Sequence, residues 1–588
     1  MRKWSSFLCL AAMATVAMAG QVPDSVVQAL ANADKALEAI VAVPPGDRNF
    51  QNTLGALDDV FTRLDQDTSL TIFMQNVSTD ASTRESSRAA NEAVSNWLIE
   101  VGKNEGLYRA IKEYADRKPT LSGEEARFLD FTMRDYRLSG MSLPKEQRDR
   151  LKSLEVEMSK LSIDFETNIS EDASIVPLFP SELKGVPKDV VDRQAVSAGM
   201  VLFSLDGPSY GGLMDYCQNA QTRQKVWTTY RRRAGKNVEV LEKLLKLRSE
   251  HAKILGFKNT VDERVATRMA KNSETVAKFY AELQPVVNKK AKADYQEFLN
   301  LKRKFTKNKN AKFDPWDYAF YKNLLRNQKY NVDSEKVSEY FPISQVVSGL
   351  FKVSEDLFGI VMTDVTSEAQ KLGLPLWHTD VKLYQLSDKA TGRLLGHMYT
   401  DLYPRPNKYN HAACWGLRGR KVWSNGKTDL PLAALVCNFT KPTATKPSLL
   451  PHDEVETFFH EFGHGLHQIL TETTLGRFSG TSVAQDFVEA PSQMLENWVW
   501  EPSVLKLFAK HYKTGQPMPS TLVQGMRAAR TLGSGIETQG QLYLGKMDQA
   551  FHSVASGVVD TSKVADQVYA DTMVYGPVKG TLFHAAFG

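Results

Sequence analysis

Cysteine is scarce in this chain, four residues among 588. Cys9 lies in the N-terminal apolar segment, and Cys217, Cys414 and Cys437 form an odd set with no C-x-x-C spacing. That pattern gives no sign of a disulfide framework or a thioredoxin-like redox motif, so the three read as buried thiols. An excess of charge of one sign is also missing. Lys and Arg number 73 against 68 Asp and Glu, a net +5, too even a balance to imply nucleic acid. The one basic run, Lys302-Arg303-Lys304 through Lys307, Lys309 and Lys312, has no interleaved aromatics and reads as a solvated helix end. No segment after residue 19 approaches the ~20 apolar residues of a membrane span. Internal repeats and low-complexity tracts are absent as well.

What is present suits a large soluble enzyme. A chain with 42% hydrophobic residues can bury an ample core, and its length suggests two or more substructures. Arg2 and Lys3 precede an apolar stretch over 7–18, and Ala17-Met18-Ala19 is a small-x-small site before Gly20. Residues 1–19 are therefore expected to be a secretory signal peptide, with a mitochondrial or cytoplasmic location as the alternative. Sequons begin at Asn76, Asn168 and Asn438; the last lies in an apolar strand and is expected to stay unmodified.

Hydrophobic periodicity is overwhelmingly helical. Leu151, Leu154, Met158, Leu161 and Phe165 predict a helix over 143–171 with a buried stripe, and Leu241 to Ile254 and Val276 to Val287 repeat the pattern as helix core. Strand signals cluster over 380–440. Val381, Leu383 and Leu386, a turn near 388–392 and a second run over 394–402 make a hairpin. The expected fold is mainly α, with a small β-sheet directly before the helix that carries the chemistry.

That helix carries His460-Glu461-Phe462-Gly463-His464. Side chains four apart lie on one helical face, so His460 and His464 can share one ion. Val455, Phe458, Phe459, Phe462, Leu466 and Ile469 set the pair in an apolar helix, and Asp453 with Glu456 predicts a capping box after Pro451. Unpaired polar groups buried there would cost roughly 2–7 kcal/mol each, which favours a bound metal. The donor type points to Zn2+, one per chain, with three protein ligands and a fourth position open; manganese or cobalt could substitute. Glu489 is the candidate third ligand, in a segment whose Phe487, Val488, Met494, Leu495 and Trp498 could pack beside the histidines. Spacing alone leaves it open whether Glu489 is a ligand or a solvated glutamate. Glu461 points about 100° away from His460, off the ligand face but within reach of the metal's water, where it is the candidate general base. Asp486 or Glu496 could hold the second ring nitrogens of the histidines.

The run from Leu449 to His467, Phe478-Ser479-Gly480-Thr481 and Asp486 through Trp498 resembles the thimet oligopeptidase, neurolysin and saccharolysin family of zinc oligopeptidases. Weaker similarity extends upstream, over 245–257, 377–382 and 401–412. The resemblance implies His460, His464 and Glu489 as metal ligands and Glu461 as the catalytic glutamate. It also implies two helical lobes around a deep substrate channel that admits short peptides and excludes folded proteins. On this reading 1–19 is the leader, 20–215 an N-terminal helical region and 216–588 the zinc metallopeptidase region; a monomer with no nucleic-acid partner is expected. Zinc would polarise the scissile carbonyl and lower the pKa of its water toward ~7, while Glu461 takes the proton and passes it to the leaving amine.

In that family a segment like Phe583-His584-Ala585-Ala586-Phe587-Gly588 continues into one with a histidine, a Gly-Tyr pair and several tyrosines that stabilise the tetrahedral intermediate. Here the sequence stops at Gly588. The expectation from this departure is a truncated chain with uncovered apolar surface, and one lost donor typically costs about 10² to 10³ in turnover. The alternative to an active endopeptidase is thus a catalytically impaired, zinc-containing peptide-binding protein. Two further expectations concern substrate handling: the strand over 396–402 either as a sheet edge that holds peptide backbone or as an ordinary packed strand, which the sequence does not separate, and the two-glycine loop 476–481 as mobile over the cleft.

Overall fold

Leu151, Leu154 and Phe165 line the buried side of the helix Lys145–Ser170, close to the predicted bounds. The stripe from Val276 falls in the 34-residue helix Ser273–Thr306, where Val287, Ala291 and Phe298 are buried. Phe279, expected in the core, is instead 58% exposed: the helix Ser534–His552 lies along 273–291, where Gln549 reaches Ser273, Lys546 reaches Gln284 and Gln539 reaches Asn288, and Phe279 is off that face. The basic run does end this helix, at Lys307 in the left-handed conformation. Lys302 departs from a solvated end: it turns inward and pairs with the fully buried Asp317 at 2.5 Å.

The computed structural model describes residues 21–442 and 446–586; the expected leader at 1–19 lies outside them. Helices dominate. A three-stranded antiparallel sheet is made by β1 (Ile175–Leu178), β2 (Ala195–Ser197) and β3 (Met200–Ser204), in the order β1-β3-β2. The main sheet contains β4 (Ile360–Asp364), β5 (Lys382–Asp388), β6 (Leu394–Asp401), β7 (Ala413–Arg418) and β10 (Leu432–Val436). Between the last two lies a small ribbon of β8 (Lys421–Val422) and β9 (Thr428–Asp429). The predicted hairpin is β5–β6, antiparallel with Leu383 opposite Tyr399.

Strand order β4-β5-β6-β10-β7 decides between the two readings of 396–402 in favour of the packed strand. The 396–402 segment forms β6, which pairs with β5 on one side and runs parallel to β10 on the other. Its backbone groups are therefore used within the sheet, and among the described strands the edges are β4 and β7. The hydrophobic run of β10, buried at every position, fits a central strand covered on both faces.

Two mostly helical lobes result, each drawn from separated stretches of chain. One lobe's cores take residues from 29–141 and 332–526, including the main sheet. The other's come from 176–325 and 532–575. The helix Lys145–Ser170 joins them, packing on Ala81–Gly102 and on Asn237–Ile254. No helix among the described residues is long and apolar enough to cross a membrane.

Candidate metal and active site

The helix His452–Ile469 lies across the main sheet, its Phe458, Phe459 and Phe462 fully buried. Gly465 makes the close approach possible: a Cβ there would stand 2.4 Å from the Cε of Met398 on β6. The expected capping box does not form. The helix begins at His452 with Pro451 as N-cap, so Asp453 is already within the first turn, and Glu456 accepts a hydrogen bond from Trp500 Nε1 at 2.7 Å.

His460 and His464 project one turn apart, ring centroids 4.9 Å from one another. Glu489 precedes the helix Ala490–Glu496, which packs on the histidine helix. Its Oε2 is 3.3 Å from His460 Nε2 and 3.2 Å from His464 Nε2. Tetrahedral ligands bound at about 2.0–2.1 Å stand about 3.3–3.4 Å from one another, so this donor set fits one zinc-sized ion. Ser492 Oγ donates to Glu489 Oε2 at 2.8 Å and steadies the carboxylate. In the segment expected to pack beside the histidines, Leu495 is buried, whereas Phe487 and Met494 are exposed.

Of the two carboxylates considered for the ring nitrogens, Glu496 fills the role. Its Oε1 is 2.7 Å from His460 Nδ1, which makes Nδ1 the proton-bearing nitrogen and leaves the Nε2 lone pair for a metal. Asp486 does otherwise, accepting from the Met269 amide at 2.9 Å. Burial lowers the pKa of His464, with His460 and His467 adding to it against Glu489, and so favours the neutral imidazole that ligation needs.

Glu461 is buried on the neighbouring face, and burial pushes its carboxyl up to about 7. His460 and a hydrogen bond from the Cys414 backbone pull it down, and Glu489 pushes it further up. Cys414 belongs to the edge strand β7. An antiparallel ladder turns alternate N–H groups outward, so the strand that touches Glu461 also turns the backbone of Gly416 outward beside it, while the carbonyls of Leu417 and Arg418 accept from Ser69 and Gln468.

Sequence reasoning missed this strand, and missed the support beneath the adjoining loop. Asp401, fully buried, accepts from Arg405 at 2.7 and 2.6 Å, Lys408 at 2.9 Å and Trp377 Nε1 at 2.8 Å. Asn438, considered above only as a sequon, donates to the carbonyls of Tyr409 and His411 at 2.9 and 3.0 Å. The density of charged residues over 401–408 was the available signal. Burial raises the pKa of Tyr409, helped by Glu461 and by Glu166 of the joining helix; its ring packs on Trp415 of β7, centroids 5.1 Å apart.

The 476–481 loop is tied down rather than free. Asp58 accepts from the amides of Gly476 and Arg477 at 2.8 Å each, and Glu124 accepts from the Leu475 amide at 2.9 Å. Asp58 also holds Lys421 at 2.5 Å, so the loop is bound to the N-terminal helices.

Nitrogen and oxygen donors meeting beside a buried glutamate, on a helix bordered by an open strand, define a metallopeptidase-type site. The family model described as Peptidase family M3 matches residues 213–587, and the chain belongs to that family. It is 34% identical to "Thimet-like oligopeptidase" of Dictyostelium discoideum over 94% of this chain and 84% of that protein. Identity to "Mitochondrial intermediate peptidase, mitochondrial" of Arabidopsis thaliana is 29%, over 86% of this chain and 73% of that one. In fold it is similar to the solved structure "PZ peptidase A with inhibitor 2", with a TM-score of 0.53 at 12% identity, covering 96% of this chain and 82% of that chain.

Proposed function

We propose that the protein is a zinc-dependent endopeptidase of short oligopeptides, with His460, His464 and Glu489 as ligands and Glu461 as general base. The observation that carries this reading is the meeting of Glu489 Oε2 with both histidine Nε2 atoms, at 3.3 and 3.2 Å. Zinc held there would supply Lewis acidity toward the scissile carbonyl and a water acidic enough to react at neutral pH. Glu461 takes the proton of that water and delivers it to the leaving amine, a role its place on the face beside the ligands suits. Glu496 holds His460 in the ligating tautomer, and Ser492 orients Glu489. The free edge of β7 is the surface on which a peptide backbone would lie, in place of the 396–402 strand.

The family match over 213–587 supports taking 216–588 as the catalytic region. For location, the secretory leader at 1–19 rests on sequence alone, and the organellar name carried by the Arabidopsis relative supports the alternative. The test of function is the full chain with equimolar zinc and an internally quenched peptide of about ten residues. Glu461→Gln is expected to keep the metal and lower kcat by 10² or more. A wild-type protein that holds zinc but only binds the peptide would refute the endopeptidase reading and leave a peptide-binding protein.

A further inference from the structure

We infer that the cavity between the helix Ala56–Phe73 and β7 receives a basic side chain of the bound peptide, selected by Asp65; this rests on the peptidase reading above. The cavity measures about 530 Å³, within the usual range for a built ligand pocket. Phe61, Phe128 and Tyr136 wall one side, and Gly416 and Gln468 the other.

Its position follows from the site. Gln468 comes one helical turn after His464 on the same face, a rise of about 6 Å. Gly416 comes two residues after Cys414, about 7 Å along the strand, and by alternation its amide turns outward as that of Cys414 does. A peptide laid along β7 carries same-side side chains at the same spacing of about 7 Å. The side chain near Gly416 therefore stands at the mouth of the cavity when the scissile carbonyl is near Glu461.

Charge decides what enters. Asp58 is consumed by Lys421 and two backbone amides. Asp135 is met by Arg134 at 2.7 Å and by Arg477, itself on the cavity wall, at 3.6 Å. Asp65 alone among these carboxylates has no hydrogen-bond or ion-pair partner among the described residues. It is exposed to the cavity's water, and the protein around it pushes its carboxyl up to about 6. Gly416 leaves room on the strand side, where a Cβ would meet the Gln468 amide at 2.9 Å. Lys and Arg suit such a space: their apolar stems cover aromatic walls, and a cationic head meets the open carboxylate.

The test uses the full zinc-loaded chain and quenched peptides in which Lys or norleucine is placed in turn at each of the four positions on either side of the scissile bond. Wild type is expected to prefer Lys at one position by about tenfold in kcat/KM. Asp65→Asn should abolish that ratio and Asp65→Lys invert it, with norleucine peptides cut at the wild-type rate and the thermal midpoint unchanged. Equal use of Lys and norleucine at every position, or a preference that survives Asp65→Asn, would overturn the inference while leaving the peptidase reading intact. Were no peptide cut at all, that reading would fail first. Fluorescence anisotropy with the same peptides would then decide the inference by whether tighter Lys binding depends on Asp65.

Discussion

Ser492 packs against Gly463 so tightly that a Cβ on Gly463 would stand 2.6 Å from the Ser492 Cα and 3.0 Å from the Pro491 carbonyl. The glycine inside His460-Glu461-Phe462-Gly463-His464 thus sets the distance between the two elements that carry the donors. Both obstructing atoms are backbone, so Gly463→Ala must push the Ala490–Glu496 helix away and Glu489 with it. Overpacking of this kind costs about 1–3 kcal/mol. Zinc affinity should fall at least tenfold, measured by competition with a chromogenic chelator. Wild-type affinity in the alanine variant would mean that Glu489 is not a ligand.

Glu496 gives a complementary prediction, because it touches no metal. Glu496→Gln keeps the shape but weakens the hold on His460 Nδ1, 2.7 Å away. Loss of such a partner typically lowers metal affinity 10- to 100-fold. Asp486→Asn should leave zinc affinity unchanged, since Asp486 bonds the Met269 amide instead. Equal effects of the two substitutions in the chelator competition would remove Glu496 from its assigned role.

Stability should depend on pH through His251. Its Nε2 lies 3.1 Å from Glu155 and its Nδ1 3.1 Å from Glu263. Burial alone would lower its pKa, but the two carboxylates prevail and raise it from 6.5 to about 9. A raised histidine contributes stability that is complete below about pH 6.5 and lost as pH rises through about 9. The contribution is about 2–3 kcal/mol at its full value. Denaturant titrations at pH 6 and pH 10 should give wild type an advantage over His251→Gln at the lower pH only. A difference independent of pH would show that His251 is held neutral.

Much of this architecture can be read locally. Helical stripes such as Leu151 to Phe165 and the hairpin of β5 and β6 depend on neighbouring residues, and their periods survive folding. The His460/His464 pair is likewise a property of one helix, and Glu489 was reachable because its segment follows soon after. Sheet order was not, since β10 enters between β6 and β7 and thereby makes β6 central. Nothing in residues 396–402 records that insertion. The 476–481 loop was misjudged for a similar reason: its glycines suggested mobility, but Asp58 and Glu124, some 350 to 420 residues earlier in the chain, supply the acceptors for its amides. Long-range partners also explain Lys302, whose run looks solvated until Asp317 folds back on it.

That inward turn makes the most severe stability prediction. Asp317 is fully buried and bonds Arg223 Nη2 at 2.6 Å with one oxygen and Lys302 at 2.5 Å with the other. Arg223 is 1% exposed and donates also to the Cys217 carbonyl at 2.7 Å. Asp317→Asn strands two cations in the second lobe, a loss expected to cost about 3–5 kcal/mol. Lys302→Met should cost less, because it removes one cation and leaves Asp317 paired with Arg223. Urea midpoints of the two variants therefore order as Asp317→Asn below Lys302→Met below wild type. The reverse order would mean that Lys302, rather than Arg223, neutralises Asp317.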